Sequence, residues 1–373
     1  MKINGALSLN NDGPLIIQEL DLADPKPSDV LVRIVATGIC HTDLIAKANT
    51  ALPLPALFGH EGAGVVEKVG SAVTRVVVGD HVLLTSASCG YCARCQAGNP
   101  SYCLEFHALN MGGGRCADGS CTHTQAGKPV FSRFLGQSSF ASHALVNERS
   151  AIKLHPQLPL DVMAPLGCGV LTGAAAVLNT LQPRPGSSLV LFGAGAVGLS
   201  ALMAAKIAGC SRLIVVDKIS ARLQVARDLG ATHVVDASEA NTMATIRELT
   251  GGGADYVVEA SGVPKVMELA IEAVGQGGSV AIVGMAGSQA TVNFNPVTLQ
   301  SKGANIKGCM LAGENSVPEP FIRKLIEFWK SGQLPIEKML RFYEFDQIND
   351  AIADSLNGVT IKPVVRMPRA TRS

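Results

Sequence analysis

The hydrophobic pattern changes character along the chain. Up to residue 40, short apolar runs alternate with breakers such as Asp24-Pro25-Lys26-Pro27, and Val30 to Ala36 reads as a strand ended by Thr37-Gly38. The alternation at Val65 to Val69 predicts another strand, and Val76 to Leu84 reads as a turn between two strands. Phe134-Leu135-Gly136 and Phe140 to Val146 return to strand, and Asp161 to Leu181 is helical by its Ala and Leu content. After Pro183-Arg184-Pro185-Gly186 a different rhythm begins, with strands at 189–192, 213–216, 233–235, 256–259, 280–283 and 304–307 and helices between most of them. That alternation predicts an α/β fold with a doubly wound sheet of six parallel strands. Near Met310 the rhythm breaks, and Pro320 opens an amphipathic helix carrying Phe321, Ile322, Leu325, Ile326 and Phe328 on one face. Short strands follow. The expected organisation is a first domain over 1–169, a nucleotide-type domain over 170–309, and a return to the first domain over 310–373.

Composition narrows the classes. The chain has 373 residues, too many for one ordinary core and enough for two. A net charge of +1 leaves no electrostatic footprint for nucleic acid or an anionic membrane. The apolar window from Leu189 to Ala208 is cut by Gly193, Gly195 and Gly198, so it reads as strand, turn and buried helix rather than a membrane span. The N-terminus lacks the apolar run of a signal peptide, and the expected location is the cytoplasm.

Ten cysteines without a secretory signal point toward metal rather than disulfides. Cys89, Cys92, Cys95 and Cys103 are separated by gaps of two, two and seven residues, so four thiolates converge on one small ion. Zinc favours such closed tetrahedral sites, and an iron–sulfur cluster is the other occupant the spacing admits. Cys116, Cys121 and His123 fall in a glycine-rich stretch and read as plain loop. Cys40, His60 and Cys168 come from three distant segments. Two thiolates and an imidazole hold zinc and leave a fourth position open for water or substrate.

The run Gly193-Ala194-Gly195-Ala196-Val197-Gly198 follows a strand and opens a helix, and Asp217 ends the next strand nineteen residues later. In that context the glycines admit a pyrophosphate against the helix N-terminus, and Asp217 accepts the ribose hydroxyls. The carboxylate favours NAD over NADP, a preference that Lys218 and Arg222 soften without reversing.

With these residues in view, the chain resembles the zinc-dependent medium-chain alcohol dehydrogenases over nearly its whole length. The motifs that carry the resemblance are Gly59-His60-Glu61 with Gly64 and Gly70, Cys40-His41-Thr42-Asp43, the cysteine quartet, Gly167-Cys168-Gly169 and the 193–198 turn. It implies a mostly-β, GroES-like first domain, two zinc ions per subunit (one catalytic and one structural), and hydride transfer from an alcohol at the open zinc position to NAD. It also implies roles. Thr42 bonds the substrate oxygen and starts the proton outward, Asp43 orients His60, and Glu61 lies near the zinc. Thr172 and Val197 match positions packed on the nicotinamide, and Lys362 and His41 match basic residues on the pyrophosphate. Thr85, Ala108, Phe134, Leu135 and Met285 match the substrate pocket. One departure stands out: Ile45 occupies the position where many relatives carry a proton-releasing histidine, so the expectation is that His41 or an ordered water takes over or that release is slower.

Met163 to Val170 looks most like the bacterial aryl (benzyl) alcohol dehydrogenases, which implies aromatic or allylic primary alcohols as substrates. Glutathione-dependent formaldehyde dehydrogenase is the alternative within the family, and a non-catalytic NAD-binding relative the alternative outside catalysis. The resemblance further implies a homodimer or homotetramer.

Overall fold

The computed structural model describes residues 1–49, 51–114, 121–287 and 289–368. Cys116 lies outside them. The chain forms two compact units, one of Met1–Cys168 with Leu340–Ser373, the other of Gly169–Met339. The return to the first unit therefore comes at 340, not at 310. The amphipathic helix explains the difference. It runs Pro318–Lys330, two residues earlier than expected, and buries Phe321, Ile322, Leu325 and Ile326 inside the second unit, where it packs on the helix Gly169–Ala175.

In the first unit the ten-residue strand Asp29–Gly38 is the centre of a seven-stranded sheet. One edge pairs antiparallel with Glu61–Val69. The other pairs with His143–Asn147 over its first half and with Lys362–Arg366 over its last residues. A second sheet, of five strands, contains Lys2–Ser8 and Leu15–Leu22. The aliphatic and phenylalanine side chains of these strands, with Phe58, Phe134 and Phe140 fully buried, make one continuous core.

Three local expectations fail for physical reasons. Val76 to Val78 do not form a strand. Val77 and Val78 are exposed, and Asp80 folds the segment into a turn by accepting the Val77 N–H (2.9 Å), leaving His81–Leu84 as the only strand there. Phe134-Leu135-Gly136 is a tight turn, because Arg133, Leu135, Gly136 and Ser138 all take positive φ, between 47° and 76°. The helix expected over 161–181 is broken. It runs Leu160–Met163, tightens into a 3₁₀ turn at Ala164–Gly167 where Pro165 removes a donor, and stops at Cys168 (φ −145°, ψ −77°) before resuming at Gly169. A short helix at His41–Ala48 had no periodic signal.

The second unit is the six-stranded parallel sheet that the pattern predicts. Its order is His233–Asp236, Arg212–Asp217, Ser188–Phe192, Ala254–Glu259, Val274–Ile282 and Asn305–Gly308. The chain starts in the middle, works outward to one edge, then returns to fill the other, which is the Rossmann arrangement. The 189–208 window resolves into the strand Ser188–Phe192 and the helix Ala196–Ile207. Among the described residues no single helix is long and apolar enough to cross a membrane.

His123, expected in loop, lies in the short strand His123–Gln125 and is fully buried, with Nδ1 3.2 Å from Thr122 Oγ1. Burial, helped by the Arg133 charge, draws its pKa down to about 3. As pH falls the unfolded chain takes up that proton first, so the stability is complete above the ordinary value of 6.5 and is lost progressively toward pH 3. Between pH 7 and pH 5 this one group removes about 2 kcal/mol. His123→Gln, compared with the parent by denaturant unfolding at both pH values, should lose that share of the pH dependence.

Candidate active site and metal centres

Cys40 stands where the strand Asp29–Gly38 gives way to the helix His41–Ala48, at the helix N-cap. Three residues on, Asp43 turns its carboxylate back into the protein. Its Oδ2 accepts the Cys40 N–H (3.0 Å), and its Oδ1 accepts the Gly59 N–H (3.0 Å) and the His60 Nδ1–H (2.7 Å). Gly59 sits at φ +95°, and a Cβ there would lie 2.4 Å from Phe140 N, so no other residue fits. With Nδ1 engaged by Asp43, His60 is left with Nε2, which is buried and has no hydrogen-bond partner among the described residues. The Phe134 ring meets the imidazole edge-on at 5.7 Å.

The helix break places the third thiol. Thr85 Oγ1 donates to Gly167 O (3.2 Å), and Cys168 follows at once. The candidate ligand atoms of Cys40, His60, Glu61 and Cys168 all lie within 4.8 Å of one another. The hydrogen bond with Cys168 pulls the Cys40 thiol well below its ordinary pKa and pushes Cys168 well above its own, with burial adding to the rise. Burial works against charge on His60, yet the Asp43 and Cys40 charges outweigh it and raise its pKa. Two soft sulfurs and a buried, unpartnered imidazole nitrogen form a donor set that fits zinc. Uptake of a cation there displaces protons.

Lys362, expected on a pyrophosphate, is buried, its Nζ 2.9 Å from both Glu61 carboxylate oxygens and 3.1 Å from Ile39 O. All three of its protons have partners inside the protein. Burial disfavours its charge, but Glu61 more than compensates and holds its pKa above the ordinary value.

Cys89, Cys92, Cys95 and Cys103 also converge, with all four sulfurs within 4.8 Å. Backbone N–H groups of Cys92, Cys89 and Leu104 reach the sulfurs of Cys89, Cys103 and Cys92 at 3.3, 3.4 and 3.5 Å. The Leu104 N–H, helped by that of Cys95, draws the Cys92 thiol down to about 6, whereas burial pushes Cys95 up to about 12. Such a Cys₄ set suits a structural zinc with no vacancy for chemistry.

The second unit carries the glycine turn and its carboxylate. A Cβ on Gly198 would lie 1.9 Å from Gly193 O, so the helix Ala196–Ile207 can start this close to the turn only with glycine there. Asp217 holds the turn, its Oδ2 accepting the Ala194 N–H (2.6 Å) and its Oδ1 the Ile219 N–H (2.9 Å). Val197 lies in the first turn of that helix, Thr172 is half-buried on Gly169–Ala175, and Arg222 is half-buried on Ser220–Leu229.

The remaining expected residues are divided between the two units. Thr42 Oγ1 is 3.6 Å from Cys40 Sγ, and His41 is exposed beside it. Thr85, Phe134 and Leu135 are buried on the first unit, Ala108 is exposed on the helix Phe106–Met111, and Met285 is exposed on the second unit. Gln137, to which the sequence drew no attention, is fully buried and bonds the backbone on either side of Glu61.

Residues 26–156 match the alcohol dehydrogenase GroES-like domain, and residues 196–327 match the zinc-binding dehydrogenase domain. The chain is 41% identical to a geraniol dehydrogenase of Castellaniella defragrans over 95% of its own length and 94% of the relative's. This chain belongs to the zinc-binding medium-chain alcohol dehydrogenases. Among solved structures, benzyl alcohol dehydrogenase from Acinetobacter calcoaceticus superimposes with a TM-score of 0.94 at 39% identity, covering 99% of this chain and all of that one. An alcohol dehydrogenase zinc-binding domain protein from Burkholderia ambifaria gives 0.95 at 44%, with the same coverage.

For this dehydrogenase, Asp43→Ala strips partners from Cys40 N, Gly59 N and His60 Nδ1 together. The expected result, read by metal analysis after dialysis against a mild chelator, is a 10–100-fold loss of affinity at the Cys40–His60–Cys168 site. The Cys89–Cys103 site should keep its zinc.

Proposed function

We propose that this dehydrogenase oxidises primary alcohols adjacent to an aromatic ring or a carbon–carbon double bond, with NAD as hydride acceptor. The observation that carries the reading is the unpartnered Nε2 of His60, buried beside two cysteine sulfurs. Similarity to proteins named for geraniol, an allylic alcohol, and for benzyl alcohol supports the substrate class.

Cys40, His60 and Cys168 would hold the zinc, which when bound supplies a Lewis acid that brings a hydroxyl proton within reach of neutral pH. The chain provides the rest. Asp43 fixes the His60 tautomer, so the ring offers Nε2 and keeps its proton on Nδ1. Thr42, beside Cys40, accepts the alcohol's proton while releasing its own outward, and exposed His41 next to it serves as the exit that Ile45 does not offer. Phe134 lends an apolar wall that suits an aromatic or isoprenoid carbon skeleton and keeps water from the reacting carbon.

NAD is preferred because, among the described residues, each Asp217 carboxylate oxygen accepts one backbone N–H, from Ala194 and from Ile219, leaving lone pairs for both ribose hydroxyls, while its charge repels a 2′-phosphate. The reading includes a homodimer or homotetramer. Its support is the strand Asn305–Gly308, which ends the sheet order and exposes Ile306; with Phe294 and Val297 nearby in sequence, it suits a second copy of the chain. The described cysteines are all free, as suits a cytoplasmic enzyme.

The decisive assay follows NAD reduction with benzyl, cinnamyl, geranyl and short aliphatic alcohols and with S-hydroxymethylglutathione, before and after chelation. Benzyl, cinnamyl or geranyl alcohol should exceed ethanol in kcat/KM by about tenfold or more, with turnover lost on chelation. A preference for the glutathione adduct would replace this substrate class. Absence of turnover on every alcohol would leave a nucleotide-binding protein without catalysis. Separately, Asp217→Ala should raise kcat/KM with NADP relative to NAD by about tenfold or more, since it removes a repelling charge.

A further inference from the structure

The segment 133–140 is stitched along the segment 57–62 by a continuous series of hydrogen bonds. Ser138 Oγ donates to Leu57 O (2.6 Å) and accepts the Phe134 N–H (2.9 Å). Phe140 N donates to Phe58 O (3.0 Å) and Ser139 N to Gly59 O (2.9 Å). The next carbonyl along, that of His60, takes no backbone donor from this segment. Gln137 supplies one, with its Nε2 donating to His60 O (2.8 Å) while its Oε1 accepts the Gly62 N–H (3.1 Å). One side-chain amide thus does what a peptide group does in a strand ladder, presenting a donor and an acceptor side by side.

Those two contacts grip the peptide groups on either side of Glu61, immediately after the imidazole that Asp43 holds by its ring. The grip is tight. Gln137 is fully buried, and Gly62 has no room for a side chain because a Cβ there would lie 2.8 Å from Ser139 Cβ. Arg133, Leu135 and Ser138 hold positive φ, which non-glycine residues keep only where their surroundings dictate it. The same segment carries Phe134, whose ring stands edge-on to His60 and to Phe58.

We propose that Gln137 is a positioning residue of the metal centre, setting the backbone of His60 and Glu61 from behind and tying it to the Phe134–Leu135 wall. Asp43 fixes how the imidazole is turned, and Gln137 fixes where it starts from. Neither does the other's task. The proposal rests on the zinc reading given above. Gln137→Met keeps the length and volume of the side chain and removes both hydrogen bonds.

The test replaces zinc by cobalt in the intact enzyme and records the visible absorption bands, which report the geometry around the catalytic metal and not merely the folding of the chain. Expected for Gln137→Met are displaced bands and release of the catalytic metal to a chelator about tenfold faster than in the parent. Metal at the Cys89–Cys103 site and the NADH dissociation constant, which belongs to the second unit, should not change. Parent-like bands and release would overturn the proposal while leaving the zinc reading intact. A parent enzyme that takes no cobalt at Cys40, His60 and Cys168 would sink both. If Gln137→Met does not fold, Gln137→Asn decides the matter by the same two readings, since its amide is one methylene too short to span His60 O and Gly62 N together.

Discussion

The carboxylate of Asp43 is the contact on which the active site depends. It gathers N–H groups from Cys40, Gly59 and His60, so two of the three candidate metal ligands take their places from one side chain. A buried carboxylate costs several kcal/mol in lost hydration, and hydrogen bonds to a charged group return about 1.5–3 kcal/mol each. Three of them bring such a residue to rough balance. The result is a rigid bracket rather than a large gain in stability. The helix His41–Ala48 exists partly to serve it, because Asp43 caps that helix by accepting the Cys40 N–H from its first turn.

What the chain disclosed before folding follows the chemistry of its rarer residues. Cysteines at close, fixed spacing have few uses other than a metal, and glycines between a strand and a helix have few other than an anion. The convergence of Cys40, His60 and Cys168, that of the quartet at 89–103, and the turn at 193–198 were therefore legible. The parallel sheet was legible because each of its strands is an unbroken apolar run bounded by turns.

Other features had no local signature. Glu61 and Lys362 are 301 positions apart, and nothing near either announces the other. Gln137 acts in place of backbone, a use that any buried glutamine could have. The break at Cys168 lies among the poor helix formers Pro165, Gly167 and Gly169, but its exact place depends on the packing of Gly167 against Leu84 O (2.3 Å from an added Cβ), which the run itself does not show. The late return at 340 depended on which core the 318–330 helix would cover, a matter its own amphipathic pattern leaves open. In each case two distant pieces must be known together.

The strand Lys362–Arg366 has a bearing on biogenesis. It completes the sheet around Asp29–Gly38 and delivers the ammonium that neutralises Glu61. Every candidate zinc ligand has left the ribosome by Cys168, yet the countercharge emerges roughly 190 residues later. At ordinary elongation rates that interval is on the order of ten seconds or more. Throughout it the nascent chain has its sulfurs and imidazole available while an acidic group next to them lacks its cation. A strand translated late thus seals a part of the fold that was made early.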